Sequence, residues 1–225
     1  MLFLFDIDGT LLRHLPPAHR EALRVACREV CGVAVDRAAL GITAGMTDSA
    51  ILRRMLRATG LAEPAIAAAL PALCAAAADA YDRLLEDDLR AYHTPHAAAA
   101  VDWLAARGAT LGLVTGNIQR IAWRKLGAAG LAAPFRFGAF GDESANRDDL
   151  PPLALARARA HAARDFAPEE VFVVGDTPAD IACGQASRLR TIAVATGPEH
   201  SFDQLGACLP DYLLPDLGGL MALDL

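Results

Sequence analysis

Long apolar runs, paired cysteines, excess basic charge and lysine are all scarce in this chain of 225 residues. No uninterrupted apolar stretch approaches the roughly 20 residues needed to cross a bilayer, so no membrane partner is expected. The 54% hydrophobic content is swollen by alanine. The N-terminus meets Asp6 at once and has no basic stretch before its short apolar run, unlike a secretory signal; the cytoplasm is the expected compartment. Cys27, Cys31, Cys74, Cys183 and Cys208 are odd in number and form no C-x-x-C pair, which indicates neither a disulfide framework nor a zinc site. They read as small buried apolar groups. Lys+Arg (21) fall short of Asp+Glu (27), for a net charge of -6, which argues against sequence-independent nucleic-acid binding. Lys125 is the only lysine, so a lysine-dependent site has one candidate position. A small-molecule enzyme fits these limits, and the length allows one large domain or a domain with an insertion.

What the chain does have begins at once. Leu2-Phe3-Leu4-Phe5 suits a strand covered on both faces, and it ends in Asp6-Ile7-Asp8-Gly9-Thr10. Gly9 permits a sharp departure. Asp6 and Asp8 are two apart and an extended backbone sends them to different places. One could act as nucleophile or metal ligand while the other handles protons.

From Pro16 to about Asp88 the texture is helical. Pro16-Pro17 opens a helix over 18–30, which Gly32 ends. Thr47 or Asp48 caps a second, with Ile51, Leu52, Met55 and Leu56 on one apolar face and Gly60 closing it. One or two more helices follow over 63–88, with Pro71 marking a break or kink. Between the first two lies the glycine-punctuated loop 41–48, which includes Ile42 and could face a substrate. From Thr94 onward helices alternate with short apolar runs, the pattern of a parallel sheet with helical crossovers. Helices are expected over 97–106, 117–127, 150–163 and 178–187. Strands are expected over 110–114, 135–140, 171–174, 191–195 and 212–214, with Arg136 near the start of one. No internal repeat is evident.

Ligands of open parallel sheets bind beyond the carboxyl ends of the strands, and three of these ends are polar: Asp6/Asp8, Thr115-Gly116-Asn117 and Gly175-Asp176-Thr177. Each also has a plain structural reading. A calcium loop from Asp6 fails, because Pro17 would stand where the bidentate Glu belongs and Thr10 replaces the third acidic ligand. Thr115 to Asn117 could cap the following helix, and Thr177 with Asp180 has capping-box spacing. Their joint occurrence at three strand ends is what favours a shared site.

Asp6-Ile7-Asp8-Gly9-Thr10, Thr115-Gly116-Asn117 and Gly175-Asp176-Thr177-Pro178-Ala179-Asp180 resemble motifs I, II and IV of the haloacid dehalogenase (HAD) superfamily, in its phosphatase branch. The helical insertion is similar to that superfamily's type 1 cap, as in phosphoglycolate phosphatases and β-phosphoglucomutases. The resemblance implies an α/β fold: a Rossmann-like parallel sheet flanked by helices over 1–13 and 94–225, with an inserted all-helical cap over 14–93. It implies a Mg2+-dependent phosphatase acting on a small phosphorylated metabolite, with Asp6 as nucleophile and Asp8 as general acid/base. Thr115, Gly116 and Asn117 would bind the phosphate. Asp6, the Asp8 carbonyl, Asp176 and Asp180 would hold the metal. Motif III usually supplies a lysine, and Lys125 stands in the wrong place for it, in a helix where a solvated position is expected. Arg147, shortly before the helix over 150–163, takes that place. Thr43, Thr47 and Asp48 are the candidate substrate contacts of the cap loop, whereas His14, His19, His93 and His96 flank the cap junctions and read as hinge or surface residues. Rival readings are a phosphomutase, which would return the phosphoryl group to a sugar, and a binding module that kept the fold and lost catalysis. A dehalogenase is disfavoured by Asp8, and a phosphonate hydrolase by the absence of a cap lysine.

Overall fold

A computed structural model describes residues 1–13, 17–35, 41, 43–85 and 88–224. His14, Pro16, Ile42, Glu86 and Asp87 lie outside the described residues. Six parallel strands form one sheet in the order β3-β2-β1-β4-β5-β6: β1 Leu2–Phe5, β2 Thr110–Val114, β3 Gly138–Ala139, β4 Val171–Gly175, β5 Arg190–Val194 and β6 Tyr212–Leu214. β1 is central, and its alternating side chains serve two cores, as an internal strand requires. Phe3 and Phe5 pack with Leu104, Leu113 and Leu126 on one face, where the Phe3 ring stacks on Phe172 at 5.0 Å. Leu2 and Leu4 pack with Leu150, Ala154 and Val173 on the other.

The helices between the strands of this sheet are α4 (Ala97–Ala106), α5 (Gln119–Ala128), α6 (Leu150–Ala162), α7 (Pro178–Ala186) and the short α8 (Phe202–Gly206). α8 has no counterpart among the expected elements. The strand expected over 135–140 contracts to Gly138–Ala139, because Phe135 turns back onto Ala132. Its neighbour Phe137 lays its ring over the space beside Gly112. Arg136 is therefore an exposed loop residue rather than the start of a strand.

Along the chain, among the described residues, three α-helices come between β1 and α4: α1 (Ala18–Cys31), α2 (Asp48–Arg57) and α3 (Glu63–Leu84). Gly32, left-handed at φ 68°, ends α1, and Thr47 caps α2 by accepting from Ala50 N. α3 runs unbroken through Pro71, a correction to the expected break. Proline costs a helix its internal bond, but packing of α3 against α1 and α2 holds the helix together on both sides of it. By length and apolar composition α3 could cross a bilayer; here its Ile66, Leu73, Ala77, Ala78 and Tyr81 are buried among residues of α1 and α2. Ile118 and Ile121 join that cluster and seat the three helices on α5.

Candidate active site

The sheet topology places the site. The chain leaves β1 toward β2 on one side and returns to β4 on the other, so the crevice beyond their carboxyl ends is the switch point where ligands bind in such sheets. Register aligns Phe5 with Leu113 and Val174, which brings Asp6, Thr115 and Asp176 to one edge. Asp6, Asp176 and Asp180 are all buried and offer carboxylate oxygens within 4.8 Å of one another.

The surrounding backbone is shaped to this trio. Gly9 sits at φ 91°, and a Cβ on either Gly9 or Gly197 would strike the Asp176 carboxylate. Thr10 Oγ1 donates to Asp176 Oδ1 at 2.9 Å. Asp180 lies in the first turn of α7, where Thr177 N donates to its Oδ2 at 3.0 Å and Thr177 Oγ1 at 2.6 Å. Its Oδ1 takes Arg147 Nη2. Three of roughly four carboxylate lone pairs are thus engaged. The capping box read from Thr177 and Asp180 exists, and the same aspartate also serves the site.

Arg147, only 8% exposed, reaches Asp6 Oδ1 at 3.2 Å as well as Asp180, and its Nη1 donates to Gly45 O at 3.0 Å. Its Nε is buried and has no hydrogen-bond partner among the described residues. Burial disfavours the guanidinium charge, but Asp180 and Asp6 more than restore it. Burial pushes Asp6 and Asp176 well above the usual carboxylate range, against the pull of Arg147, and the neighbouring carboxylates add to it. A trio of acids with one guanidinium is short of positive charge.

Asp8 stands apart from the trio. Lys125 Nζ lies 2.7 Å from its Oδ1 and 2.5 Å from its Oδ2, and Asn117 Nδ2 donates to Oδ2 at 2.8 Å. Burial raises Asp8, but the Lys125 charge and these bonds outweigh it and hold the carboxyl below its ordinary value. Lys125 is 1% exposed, which corrects the expected solvated position. An ammonium is buried only where its donors are met. The signal was in the spacing: Ile118, Ile121, Ala122 and Lys125 follow i, i+3, i+4, i+7, so Lys125 falls on the buried face of α5. His19, expected as a hinge or surface residue, is partly buried and paired. Its Nδ1 is 3.1 Å from Lys125 Nζ and its Nε2 2.8 Å from Asp48 Oδ2. His93 does sit at the junction, bonding Ala129 O, and His96 precedes α4 in a left-handed turn.

Thr115 is fully buried, with Oγ1 accepting from Asn117 Nδ2 at 2.8 Å, and its hydroxyl lowers the proton affinity of Asp6. Neither Thr115 nor Asn117 caps α5. The N–H groups of Ile118 and Gln119 go instead to Asp48 and Asp142, leaving the Thr115-Gly116-Asn117 turn facing the acids.

Above these groups lies a cavity of about 760 Å³, lined by Asp6, Asp8, Asp176, Gly116, Asn117, Lys125 and Arg147 from below and by His19, Arg20, Thr43, Met46 and Asp48 from the helical side. Asp48 N donates to Gly116 O at 2.7 Å and Ser49 N to Gly141 O at 3.2 Å, so the 43–49 loop is seated on the strand ends. Thr43 and Asp48 line the cavity; Thr47, 1% exposed, is not among its lining residues. Its hydroxyl is committed to Ala50 N and Ala145 O.

The haloacid dehalogenase-like hydrolase model matches residues 1–188. A phosphoglycolate phosphatase of Rhodospirillum rubrum is 31% identical over 231 residues, covering 96% of this chain and 92% of that protein. A hydrolase from Pseudomonas syringae (TM-score 0.67, 18% identity, 98% and 96% of the two chains) and a β-phosphoglucomutase from Clostridium difficile (0.68, 16%, 97% and 92%) share the fold. With its sheet, its helical insertion and its three polar strand ends, two of them bearing acids, the chain belongs to the haloacid dehalogenase-like hydrolase family, in its phosphatase branch.

Proposed function

We propose that the protein is a Mg2+-dependent phosphatase that hydrolyses a small phosphomonoester through an aspartyl-phosphate on Asp6. The observation that carries this reading is Arg147 spanning Asp6 and Asp180 beside Asp176, at the floor of a cavity large enough for a small metabolite. Phosphomonoester hydrolysis without a catalyst is so slow that the site must lower the barrier by roughly 20 kcal/mol, which calls for several effects acting together.

The donor set fits Mg2+. Hard carboxylate oxygens converge in a glycine-lined recess, and burial raises the proton affinity of Asp6 and Asp176 there. Asp6, Asp176, the Asp8 carbonyl and the remaining lone pair of Asp180 would hold the ion. When bound, it would offset the charge between nucleophile and phosphate.

The chain's own groups do the rest. Asp6 attacks phosphorus in line while the bond to the leaving oxygen breaks, and Asp8 gives that oxygen its proton. A water then attacks the aspartyl-phosphate, Asp8 takes its proton, and Asp6 and inorganic phosphate are released. Lys125 favours the ionised Asp8 needed in the second half; a dianionic phosphate arriving beside it favours the protonated form needed in the first. Arg147 and the donors around Thr115, Gly116 and Asn117 stabilise the equatorial oxygens.

The domain reading, a core over 1–13 and 94–225 and a cap over 14–93, belongs to this proposal, with the cap excluding bulk water. Phosphoglycolate is the first substrate to try, because the 31% identical relative bears that name. The test is phosphate release from a panel of phosphorylated metabolites with Mg2+, with EDTA and with Asp6→Asn. Release in the first arm and none in the others supports the reading, and activity indifferent to EDTA removes the metal. Conversion of a sugar phosphate to its isomer without phosphate release would make the protein a mutase.

A further inference from the structure

Lys125 makes contacts that the proposed chemistry does not by itself require. Its Nζ has three N–H groups and four acceptor atoms around it, so one N–H is shared between the two Asp8 oxygens at 2.7 and 2.5 Å while the others face Asn117 Oδ1 at 2.6 Å and His19 Nδ1 at 3.1 Å. An ammonium only donates, so His19 Nδ1 must accept and carries no proton. Its Nε2 faces Asp48 Oδ2, a carboxylate that can only accept and also takes Ile118 N at 2.8 Å. His19 is therefore the neutral tautomer with hydrogen on Nε2. The Asn117 amide is fixed the same way: its oxygen meets Lys125, and its nitrogen donates to Asp8 and to Thr115.

We propose that Lys125, completed by His19, is a positioning pair that sets the Asp8 carboxylate for proton transfer. The inference rests on the proposed phosphatase reading and adds two residues to it. Asp8 lies beyond the end of β1, and Lys125 holds both its oxygens from below while Asn117 fixes one from the side. His19 comes from α1, so the helical insertion supplies the last acceptor of the buried ammonium. Seating that insertion and ordering the proton carrier are one event.

A proton carrier matters most when the leaving group is poor, so the measurement is kcat/KM on p-nitrophenyl phosphate and on an alkyl phosphomonoester. Lys125→Met should lose about tenfold more on the alkyl ester than on the aryl ester, part of the roughly 10²–10⁴ that general acid catalysis supplies. His19 separates positioning from simple docking. In His19→Asn the amide oxygen can replace Nδ1 toward Lys125, whereas His19→Gln replaces Nε2 toward Asp48. The alkyl-to-aryl ratio should stay within about twofold of wild type in the first and fall about threefold or more in the second. Equal losses on both esters in Lys125→Met, or the opposite order for the two His19 variants, would overturn the proposal. Should Lys125→Met fail to fold, the His19 pair decides. Wild-type protein that releases phosphate from neither ester overturns the proposed function itself, whereas an active enzyme with an unchanged ratio overturns only this pair.

Discussion

Arg147 Nη2 stands 3.2 Å from Asp6 Oδ1, with both side chains 8% exposed, so the proposed nucleophile has a permanent cation as its immediate neighbour. Removing one partner of a buried pair leaves the other charge uncompensated, typically at about 3–5 kcal/mol. Arg147→Ala should therefore melt earlier without metal and lose activity on the order of 10²–10³-fold. Arg147→Lys should recover part of the activity, because an ammonium lacks the fork that meets Asp6, Asp180 and Gly45 O together. Phosphate-release kinetics and a thermal melt on both variants check this, and an Arg147→Ala enzyme with wild-type turnover would remove the cation from the scheme.

Asp6→Asn makes a contrasting case. The amide oxygen keeps a partner for Arg147 while the charge that burial and Asp180 disfavour is gone. The variant should fold and, without metal at neutral pH, melt no lower than wild type. Its turnover should fall by roughly 10⁴-fold or more, as when a covalent nucleophile is removed. Unimpaired turnover would rule Asp6 out as nucleophile.

How much of this was legible follows from where each contact originates. The edge formed by Asp6, Thr115 and Asp176 can be read because a parallel sheet in register forces strand ends together, and apolar runs announce the strands. Arg147 was chosen because the resembling family carries its motif III lysine at that place, shortly before a helix. For Thr47 the sequence leaves two readings, because a cap and a substrate contact both call for a hydroxyl in a loop, and its bond to Ala145, 98 residues away, has no local signal. Asp8 and Lys125 are 117 apart, and a helical pattern can show that Lys125 is buried without showing what it meets.

Gly116 controls the seam between the strand ends and the helical insertion. A Cβ there would meet Met46 O at 2.5 Å and Arg147 Nη1 at 3.3 Å, so Gly116→Ala must push the 43–49 loop or the guanidinium aside. Overpacking of this kind costs about 1–3 kcal/mol. Because the displaced groups border the cavity, kcat should fall and KM rise together, and steady-state kinetics beside a thermal melt would show both. A lower melting temperature with unchanged kinetics would mean that the seam is only structural.

The crowding of Asp6 and Asp176 gives a pH signature that needs no substrate. Both carboxyls are held above their ordinary values by burial and by neighbouring carboxylates, Asp180 foremost. At acid pH, below the unfolded values, folded and unfolded chains are equally protonated and these groups cost nothing. As pH rises through the ordinary carboxylate range toward and beyond neutrality, the unfolded chain releases its protons first, so metal-free protein loses stability. Mg2+ competes with those protons, and its stabilisation should accordingly grow with pH. At a concentration 100-fold above the dissociation constant the gain is about 2.7 kcal/mol, or roughly 5–10 °C for a chain of this size. Melting curves with and without Mg2+ at pH 6 and pH 8 should show the larger shift at pH 8, and Asp176→Asn should abolish most of it. A shift that is equal at both pH values, or that survives in Asp176→Asn, would place any bound ion away from the trio.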